Sequence, residues 1–404
     1  MSRRILMILP EFYPDDIRVS KEIRSLQAAG FDIDLVCYRK KKQSLEENIS
    51  GIHIYRVNGA NSFYIKGITD IISSFFFLNP FFYIKLRELQ KRKEYALVHV
   101  HDLPLFKTAY KAFSNSPIIL DLHENYPEAL KVWFQWKKNP LIRLKNKIFF
   151  GFERWSSFEK KCLRKATKVI TVVEEMTERT LRQDQLLQES KFEVVSNMEE
   201  STFLEQKVNQ DVYKDFNNKF IVSYTGNVGP HRGVDTLIES AKYLKDLMDL
   251  QILIIGNVST ETRKFLSDIV KENQLNNVEI CGYRPFSLFY SYMRLSAVNV
   301  IPHKKNGHTD NTIPHKLFQA MMCKRPVLVS DCAPLKRIVS SANAGLTFEA
   351  GNASHLAEQI RRLHDDNLLC EKFGDNGYNA TVTGRLNWKY EGEKLVSVYK
   401  SLVR

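Results

Sequence analysis

The chain has 404 residues, of which 44% are hydrophobic and 26% are charged. This ordinary globular composition excludes a fibrous or disordered chain, and the length favours two domains rather than one. Lysine and arginine (59) outnumber aspartate and glutamate (46), which gives a formal net charge of +13 at pH 7. We therefore expect anionic partners, among which charge alone does not choose: nucleotide-sugars, anionic lipid surfaces or nucleic acid.

Signals of compartment are few. The six cysteines show no CxxC pair and no metal-ligand spacing, so reduced, mostly buried thiols and a cytosolic compartment are expected. The N-terminus MSRRILMILP has a basic start, but its apolar run ends at Pro10 without a small-residue cleavage site, which predicts a first strand rather than a signal peptide. The longest uncharged run, residues 71–84, is too short to span a bilayer and contains Pro80, so no transmembrane helix is predicted.

The chain opens with a predicted βαβ unit. Residues 5–9 predict a strand, residues 19–30 a helix that ends on a glycine in the position a C-cap prefers, and residues 32–38 a second strand. Arg18 lies where the loop enters the helix, over the strand edge, and an ordinary surface arginine is the alternative. The sequence Asp32-Ile-Asp34 resembles a DxD metal motif, but its place within a strand favours a structural role.

Two segments combine aromatic and basic side chains, at residues 62–94 and 132–155. Aromatic rings at headgroup level beside cations suit an anionic membrane surface. The alternative is that the rings belong to the core and the cations to a solvated face. The aromatic residues are Phe75, Phe76, Phe77, Phe81, Phe82 and Tyr83 in the first segment and Trp133, Phe134, Trp136, Phe149, Phe150 and Trp155 in the second, where Lys137, Lys138, Arg143, Lys145 and Lys147 lie among them.

Polar side chains follow two successive predicted strands of the first half. A strand at 97–100 is followed by His101 and Asp102, and the next strand is followed by a segment that contains His123 and Glu124. Histidines and carboxylates placed just past apolar strands point into the crevice where α/β enzymes bind ligands. His123 can donate a hydrogen bond to a sugar hydroxyl or to a carboxylate, although a single histidine is more often structural.

A polar, acidic stretch of about twenty residues after residue 198 is predicted to link two domains. Before it, strands are predicted at 168–173 and 192–195, and after it a second series of α/β units begins. The strands of that series are predicted at 220–224, 250–255, 278–281, 297–302, 326–330 and 346–348. Residues 387–404 have the pattern of a final amphipathic helix.

A glycine-rich loop, residues 226–233, follows the first strand of the second series and precedes a predicted helix at 234–245. Glycines allow the backbone to approach a phosphate closely, and the Arg232 guanidinium is a fork that fits one. The loop is neither a Walker A motif nor GxGxxG, so a plain turn is the alternative.

Residues 297–331 predict a strand, a loop, a helix and a strand, with a polar stripe at the start of the helix. The predicted caps are Asp310, Asn311 or Thr312, with Pro314 in the first turn. At 100° per residue, one face carries Thr312, His315, Lys316 and Gln319. Positive partial charge and free N–H groups collect at a helix start, so an anionic ligand such as a phosphate ester is expected there.

In chain order, the sequence contains the motifs YPDDIRVSKEIRSLQAAGFDIDLV, HVHDLP, DLHENYPE, KVITVVEEM, VVSN, YTGNVGPHRGVD, CGYRP, AVNVIP, TIPHKLFQAMMCKRPVLVSD and LNWKYEGEKLVSVYKSL. Together these motifs resemble the GT-B glycosyltransferases, and within them the retaining family 4 known as "glycosyl transferases group 1". The resemblance implies an α/β fold of two Rossmann-like domains that face a central cleft. Residues 1–200 would form the acceptor-side domain, completed by helix 387–404, and residues 201–386 the nucleotide-sugar-binding domain.

The resemblance also implies roles for individual residues. The basic pair that holds the donor diphosphate maps onto Arg232 and onto Asn227, where an arginine would be expected. The two glutamates that contact the donor sugar and the ribose map onto Asn311 and Gln319, which keep hydrogen-bonding capacity but lose charge. His123 matches the histidine near the donor sugar.

Residue patterns and resemblance together give the candidate site. Its members are His123, Asn311 and Lys316 as catalytic residues; Gly226, Asn227, Gly229, Arg232, Thr312, Ile313, Pro314 and Gln319 as donor-binding residues; and Arg18, His101, Asp102 and Glu124 on the acceptor side.

The expected function is transfer, with retention, of a sugar from a nucleotide-diphosphate donor to a glycan or lipid-linked acceptor in cell-surface polysaccharide synthesis. Arg232, Lys316 and helix-start N–H groups would stabilise the leaving diphosphate, without a metal or cofactor. The protein would be cytoplasmic or peripheral on the inner face of a membrane. A non-catalytic GT-B subunit and a sugar-nucleotide epimerase are alternatives, while nucleic-acid binding is disfavoured because no recognisable module is present.

Overall fold

The computed structural model describes residues 3–60, 62–134 and 140–403. Trp136, Lys137 and Lys138 of the second aromatic and basic segment lie outside the described residues. The chain divides into two compact units, one formed by Met1–Ser196 together with Glu391–Arg404 and the other by Asn197–Tyr390.

The first unit is built on an eight-stranded sheet. Its strands are β1 (Arg4–Phe12), β2 (Asp32–Tyr38), β3 (Glu46–Ile49), β4 (Ile52–Val57), β5 (Leu97–His101), β6 (Ile118–Leu122), β7 (Lys168–Thr171) and β8 (Phe192–Val194). Their order is β3-β4-β2-β1-β5-β6-β7-β8, and neighbours are parallel except for β3 and β4. Every residue of β5 and β6 is buried, as expected for parallel strands covered on both faces. The order places the carboxyl ends of β1, β5 and β6 side by side.

The helices of this unit cover the sheet. They are α1 (Ile17–Ala28), α2 (Phe63–Phe76), α3 (Pro80–Arg92), α4 (Phe106–Ala112), α5 (Tyr126–Phe134), α6 (Pro140–Phe149), α7 (Phe152–Lys165) and α8 (Glu174–Gln183). Asp16 caps α1, because its side chain accepts hydrogen bonds from the backbone of Arg18 and Val19. Gly30 follows that helix at φ +84°, the left-handed conformation predicted for it.

No single helix of the described ranges has the length and apolar content needed to cross a bilayer. Tyr64–Phe76 and Pro80–Arg92 meet those two criteria only when taken together, and a bend of 73° separates them.

The second unit is built on a six-stranded, wholly parallel sheet of order β11-β10-β9-β12-β13-β14. Its strands are β9 (Phe220–Thr225), β10 (Leu250–Ile255), β11 (Val278–Gly282), β12 (Val298–Ile301), β13 (Val327–Ser330) and β14 (Gly345–Phe348). Its helices are α9 (Val234–Ser240), α10 (Thr260–Glu272), α11 (Phe289–Leu295), α12 (Lys316–Met322), α13 (Ala333–Ala342), α14 (Ala353–Asp365) and α15 (Asn367–Tyr378). Buried residues of β9, β10 and β12 pack against α9 and α14 to form the core.

The last helix, α16 (Trp388–Leu402), contributes its residues from Glu391 onward to the first unit. Tyr399 is fully buried there, with its ring 5.7 Å from that of Phe31 in an edge contact. Its hydroxyl is hydrogen-bonded to Nδ1 of His99 on β5. The end of the chain therefore reaches the central strands of the first sheet.

Every strand predicted from apolar runs is confirmed, with ends that shift by a few residues. The hairpin of β3 and β4 was missed, because three of the four residues of β3 are exposed and carry no apolar pattern. The helix predicted at 234–245 ends as an α-helix at Ser240. Asp34 is buried and accepts hydrogen bonds from Lys93 Nζ at 2.8 Å and Tyr95 Oη at 2.7 Å, so its part in the DxD sequence is structural.

Candidate functional site

A buried network of histidines surrounds Asp121 in the first unit, and we call it the Asp121 network. Asp121 lies near the end of β6, opposite His101 of β5 in the parallel register. Its Oδ2 atom is 3.2 Å from Nε2 of His99, 3.1 Å from Nε2 of His123 and 3.5 Å from Nδ1 of His101. His101 Nδ1 is also 3.1 Å from His123 Nε2. One carboxylate therefore holds three imidazoles.

The titratable groups of the Asp121 network differ in protonation state, because burial and neighbouring charges shift their pKa values in different directions. Burial raises the pKa of Asp121, but the charge of His123 and the hydrogen bonds of the histidines lower it well below its usual value. Burial lowers the pKa of His123, and the charge of Asp121 more than offsets this and raises it to about 9. Burial and the neighbouring His99 lower the pKa of His101 to about 3. His123 is therefore a cation at neutral pH, and His101 is neutral.

Glu22, on the buried face of α1, is a further member of the Asp121 network. Its Oε2 is 4.0 Å from His101 Nδ1 and has no hydrogen-bond partner among the described residues. Burial, and then the charge of Asp121, raise the pKa of Glu22 to about 8. Glu22 therefore carries a proton at neutral pH.

The same network contains the group of described residues whose chemistry would suit a metal ion. Glu22, His101, Asp121 and His123 each place one ligand atom within 4.8 Å of the others. His101 Nδ1, His123 Nε2 and Asp121 Oδ2 already lie 3.1–3.5 Å from one another, so hydrogen bonds account for these three atoms. Glu22 Oε2, His101 Nε2 and Asp121 Oδ1 have no hydrogen-bond partner among the described residues.

The predicted acceptor-side residues divide between a cavity and the core. Arg18, Asp102 and Glu124 line a cavity of about 430 Å³ whose wall includes several aromatic residues. Arg18 forms a two-pronged ion pair with Asp16, with distances of 3.2 and 2.8 Å. His101 does not line this cavity. It is fully buried within the Asp121 network.

Asp102 is held in an unusual backbone conformation at this cavity. Its φ of +60° is in a region that side chains other than glycine rarely adopt. Its backbone N–H donates to the Asp121 carbonyl at 2.8 Å, and its Oδ1 accepts from the His123 backbone at 3.2 Å. These two hydrogen bonds fix the two strand ends to each other.

Three members of the Asp121 network were missed by the sequence reasoning. His99 precedes His101 by two residues and so lies on the same face of β5, a period-two signal that could have identified it. Glu22 lies on the buried face of α1. Tyr399 is 300 residues distant from its partner His99, and no local pattern connects them.

A second group of side chains, which we call the Lys316 cluster, lies at the strand ends of the second unit. Lys316 Nζ is 3.8 Å from the centroid of the Tyr224 ring. Arg232 Nη1 is 3.0 Å from Nε2 of His303, the second residue after β12. The ring of His231 is 6.3 Å from that of His303 and 5.5 Å from that of His308. The five members are Arg232, His231, His303, His308 and Lys316.

The Lys316 cluster holds basic groups without a balancing carboxylate. Within the described part of the chain, neither Lys316 nor Arg232 has an acidic oxygen at salt-bridge distance. Desolvation, and then the charge of Arg232, lower the pKa of Lys316 well below its usual value. The same two causes lower the pKa of His231 to about 3 and that of His308 to about 4. An anion that entered the cluster would reverse these shifts.

Two loops are joined at this cluster. Gly233 adopts φ +65°, and a Cβ atom there would lie 1.7 Å from the carbonyl oxygen of Pro302. The backbone N–H of Lys304 donates to the carbonyl of His231 at 3.0 Å. The glycine loop is thus docked on the segment after β12, which brings Arg232 to His303.

The predicted start of the helix after β12 is wrong, because α12 begins only at Lys316. Asp310 Oδ1 accepts instead from the backbone of Ala333, at the start of the neighbouring helix α13, at 2.9 Å. Thr312 is extended, its hydroxyl donates to the carbonyl of His308 at 3.0 Å, and Pro314 precedes the helix. Because α12 has only seven residues, its dipole contributes little, and side-chain cations must supply most of any attraction for phosphate.

The remaining donor-side candidates occupy varied positions. Asn311 Nδ2 donates to the carbonyl of Gly307 at 2.8 Å, so its amide is used within the loop. Asn227 is exposed, and its carbonyl accepts from the Tyr224 hydroxyl at 2.6 Å. Gly226 lies beside the Lys316 side chain, Gly229 is extended, and Ile313 is buried.

Gln319 is paired with a carboxylate that sequence reasoning missed. Its Nε2 donates to Oε2 of Glu199 at 2.6 Å, and the same oxygen is 3.3 Å from Nε2 of His315. Both Gln319 and Glu199 are buried. Glu199 directly follows the VVSN motif and a methionine, so its place after a strand end was the available signal. A carboxylate is therefore present beside position 319, although residue 319 itself is neutral.

Comparison with known families decides which proteins this chain is related to. Residues 18–198 match the family described as "Glycosyltransferase Family 4", and residues 205–380 match "Glycosyl transferases group 1". The chain belongs to the group 1 glycosyltransferases. Its two-domain α/β architecture with parallel sheets is the GT-B fold.

Individual relatives are distant. The chain is 25% identical to the capsular polysaccharide biosynthesis glycosyltransferase CapM of Staphylococcus aureus over 249 residues, 59% of this chain and 63% of CapM. Among solved structures it is similar to sucrose-phosphate synthase from Thermosynechococcus elongatus, with a TM-score of 0.77, 18% identity and coverage of 99% of this chain and 98% of that one. Anabaena HepE in complex with UDP-glucose gives a TM-score of 0.71, 12% identity and coverage of 98% and 99%. The chain spans between 34% and 63% of the length of the curated relatives it matches.

Replacing Glu22 by glutamine should flatten the pH dependence of stability. The folded-state pKa of about 8 exceeds the ordinary 4.5, so between these values the folded protein holds a proton that the unfolded chain has released. Stability is therefore lost as pH rises through this window. Glu22→Gln removes the titration, and urea unfolding from about pH 5 to about pH 8 should show a smaller decline than the wild type. Glu358→Gln, at an exposed position of α14, is the matched control, and an unchanged slope for Glu22→Gln would contradict the assignment.

Restoring a glutamate at position 319 should destabilise the second unit. Gln319→Glu would place two buried carboxylates at hydrogen-bond distance and replace a donor by an acceptor, at a cost of roughly 1–3 kcal/mol near neutral pH. The double variant Glu199→Gln with Gln319→Glu exchanges the two groups and should recover most of that loss in urea unfolding. If the double variant is no more stable than Gln319→Glu alone, the pairing of these two residues is not what fixes glutamine at position 319.

Proposed function

We propose that the protein is a glycosyltransferase that moves a sugar from a nucleotide-diphosphate donor to a glycan or lipid-linked acceptor with retention. The observation that carries this proposal is the Lys316 cluster, where Lys316 and Arg232 have no carboxylate partner among the described residues. A diphosphate supplies the missing negative charge. Family membership and the parallel sheet support the same assignment.

The transfer breaks the bond between C1 of the sugar and the diphosphate and forms a bond between C1 and an acceptor hydroxyl oxygen. The electron pair leaves with the diphosphate, and the proton of the acceptor hydroxyl passes to a phosphate oxygen of the leaving diphosphate. Arg232 offers a planar fork to the phosphate oxygens, and Lys316 offers a point charge whose ring partner, Tyr224, does not neutralise it. Preorganised cations of this kind lower the barrier because they are in place before charge develops on the leaving group.

The first unit would supply hydrogen bonds to the sugars. His123 is protonated and its Nε2 is held by Asp121, so its remaining N–H, at Nδ1, is a charged donor for a sugar hydroxyl. The cavity lined by Arg18, Asp102 and Glu124 combines polar side chains with aromatic rings, which suits a carbohydrate acceptor. We assign His101 a positioning role, because it is buried between Asp121 and His123.

Glu199 would replace the second family glutamate. The resemblance assigns position 319 to contacts with the donor ribose, and Glu199 brings a carboxylate oxygen to 2.6 Å from the Gln319 amide. The pair can then present both an acceptor and a donor to ribose hydroxyls. In this scheme Glu199 supplies the carboxylate that the family places at position 319.

A role in cell-surface polysaccharide synthesis is part of the proposal. CapM, one of the relatives, is named for capsular polysaccharide biosynthesis, and HepE has been solved with UDP-glucose. All six cysteines are free, which fits the reduced cytoplasmic side where nucleotide-sugars would be met. The reaction needs neither a resident cofactor nor a metal.

A non-catalytic GT-B subunit is the second candidate function. Asn311 favours it, because a neutral amide occupies the position of the first family glutamate and is engaged with Gly307. Such a subunit would bind the donor without transferring its sugar. Assay of the purified chain for sugar transfer to glycan and lipid-linked acceptors separates the two candidates, since transfer that is lost in His123→Gln excludes the second.

Binding of nucleotide diphosphates tests the donor site. Calorimetry with UDP, GDP and dTDP and with their sugar conjugates should show selective binding that a chelator does not alter. Arg232→Ala should weaken the preferred ligand roughly 10–100-fold, the equivalent of a charged hydrogen bond, and Arg232→Lys should lose less. The matched control is Arg361→Ala, which breaks a surface ion pair with Asp246. Equal affinity in Arg232→Ala and the wild type would contradict the proposed function.

A further inference from the structure

Helix α2 turns its apolar face outward. Ile65, Ile68, Ile72, Phe75 and Phe76 fall within one arc of the helix and are between 41% and 60% exposed, and we call them the apolar stripe. The opposite face lines the cavity that also contains Arg18, Asp102 and Glu124, which we call the acceptor cavity. The polar side chains of α2 in this cavity are Lys66, Asp70, Ser73 and Ser74. A surface helix of a globular protein in water has the reverse arrangement, with its apolar face on the core. Among residues 3–60, 62–134 and 140–403, the stripe therefore has no apolar partner that covers it.

Helix α6 extends this apolar surface. Its C-terminal end is attached to α2, because the hydroxyl of Ser74 donates to the carbonyl of Phe149 and the rings of Phe75 and Phe149 are 6.1 Å apart. Leu144 and Ile148 of α6 are 56% and 53% exposed. Arg143 and Lys147, which directly precede them in sequence, are exposed basic residues. Apolar and basic side chains thus share one outward face, as they do in helices that lie at a membrane interface.

A groove at the C-terminal end of α2 has an apolar floor and a basic rim, and we call it the basic groove. It encloses about 340 Å³. Its floor contains Phe77, Phe106, Tyr110 and Phe158, and its rim contains Lys107, Arg154, Lys161 and Lys165. No carboxylate among the residues that the structure describes lies within ion-pair distance of these four cations.

The basic groove is continuous with the apolar stripe. Lys107 Nζ donates to the carbonyl of Phe76 at 2.8 Å, and Arg154 Nη2 donates to the carbonyl of Phe75 at 2.6 Å. The cations therefore stand at the end of the exposed stripe. An occupant that covers both surfaces must be apolar where it meets the stripe and anionic where it meets the groove.

We propose that the apolar stripe, the outer face of α6 and the basic groove together form a docking surface for an anionic lipid bilayer. Acyl chains match the stripe, and phosphate-bearing headgroups match the cations of the groove. A second copy of this chain is a poor occupant, because the chain carries a net charge of +13 and two basic grooves would repel each other. The outward face of each aromatic and basic segment carries the membrane contact, whereas Phe82 and Trp155 of the same segments are buried in the core.

This docking does not depend on the transfer reaction. One consequence rests on the proposed function: the acceptor cavity is lined by the polar face of the same helix, α2, so a lipid-linked acceptor would enter the cavity beside the bilayer surface. The following experiment measures docking without a donor, so that its outcome and that of the donor-binding test are independent.

Flotation of the full chain with vesicles tests the proposal, with phosphatidylcholine alone compared with phosphatidylcholine mixed with phosphatidylglycerol. The wild type should bind the mixed vesicles at least about tenfold more tightly and should lose this preference in high salt. Lys161→Gln with Lys165→Gln should weaken binding about 25-fold, near fivefold for each charge. The matched control is Lys264→Gln with Lys271→Gln, two exposed lysines of α10 in the second unit.

The apolar stripe has its own variant. Ile68→Asn with Ile72→Asn should weaken binding to the mixed vesicles at least about tenfold, because polar side chains do not enter the acyl region. Met248→Asn with Leu368→Asn, at positions 82% and 78% exposed in the second unit, should have no effect. The midpoint of urea unfolding should stay close to that of the wild type in all of these variants, which shows that they fold.

Three outcomes would overturn the proposal. The first is equal binding to neutral and anionic vesicles. The second is wild-type binding by the variant of the apolar stripe. The third is a wild-type dimer that dissociates in Ile68→Asn with Ile72→Asn while vesicle binding is kept, which would make the stripe an interface between copies.

Discussion

The fold of the second unit brings the cations Lys316 and Arg232 together without a counter-charge among the residues that the structure describes. Desolvated positive groups are costly unless an opposite charge is near. Here Lys316 is packed on the ring of Tyr224, and Arg232 is bonded to His303, so both are held by neutral partners. The lowered pKa values of Lys316 and the neighbouring histidines are the response of the protein to this arrangement. Among the described residues no carboxylate lies at salt-bridge distance from Lys316 or Arg232, so an anion that entered the cluster would raise these pKa values again.

The first unit also buries charged groups, but there a carboxylate and a protonated histidine neutralise each other. Asp121 is a buried carboxylate whose Oδ2 atom contacts three histidines, and the protonated His123 is its counter-ion. These contacts fix the orientation of His123, and the network connects β5 and β6 to α1 through Glu22 and to the last helix through Tyr399. Its buried atoms Glu22 Oε2, His101 Nε2 and Asp121 Oδ1 have no hydrogen-bond partner among the described residues. One unit thus provides a rigid donor of hydrogen bonds, and the other provides an incomplete set of charges.

Much of the fold could be predicted because parallel strands that are buried on both faces appear as continuous apolar runs. The same rule located His123 and Arg232, since polar residues just after such runs collect at one edge of a sheet.

The rule failed where pairing is non-local. The contact of Glu199 with Gln319 and that of Tyr399 with His99 join residues more than a hundred positions apart. The start of α12 was misplaced because Asp310 caps α13 in space rather than the next helix in sequence. The segment that contains α2 was described from the sequence only as aromatic and basic, and the structure shows that it forms a helix whose polar face lines a cavity.

In this view a diphosphate supplies the negative charge that the Lys316 cluster lacks, and its entry raises the lowered pKa values of Lys316, His231 and His308. Calorimetry of nucleotide-diphosphate sugar binding near neutral pH, in buffers with different ionisation enthalpies, measures the protons exchanged on binding. The diphosphate of such a sugar does not itself titrate near neutral pH, so any exchange belongs to the protein. We expect a net uptake of protons on binding that is smaller in Lys316→Met than in the wild type. Binding without proton uptake, or with release, would contradict it.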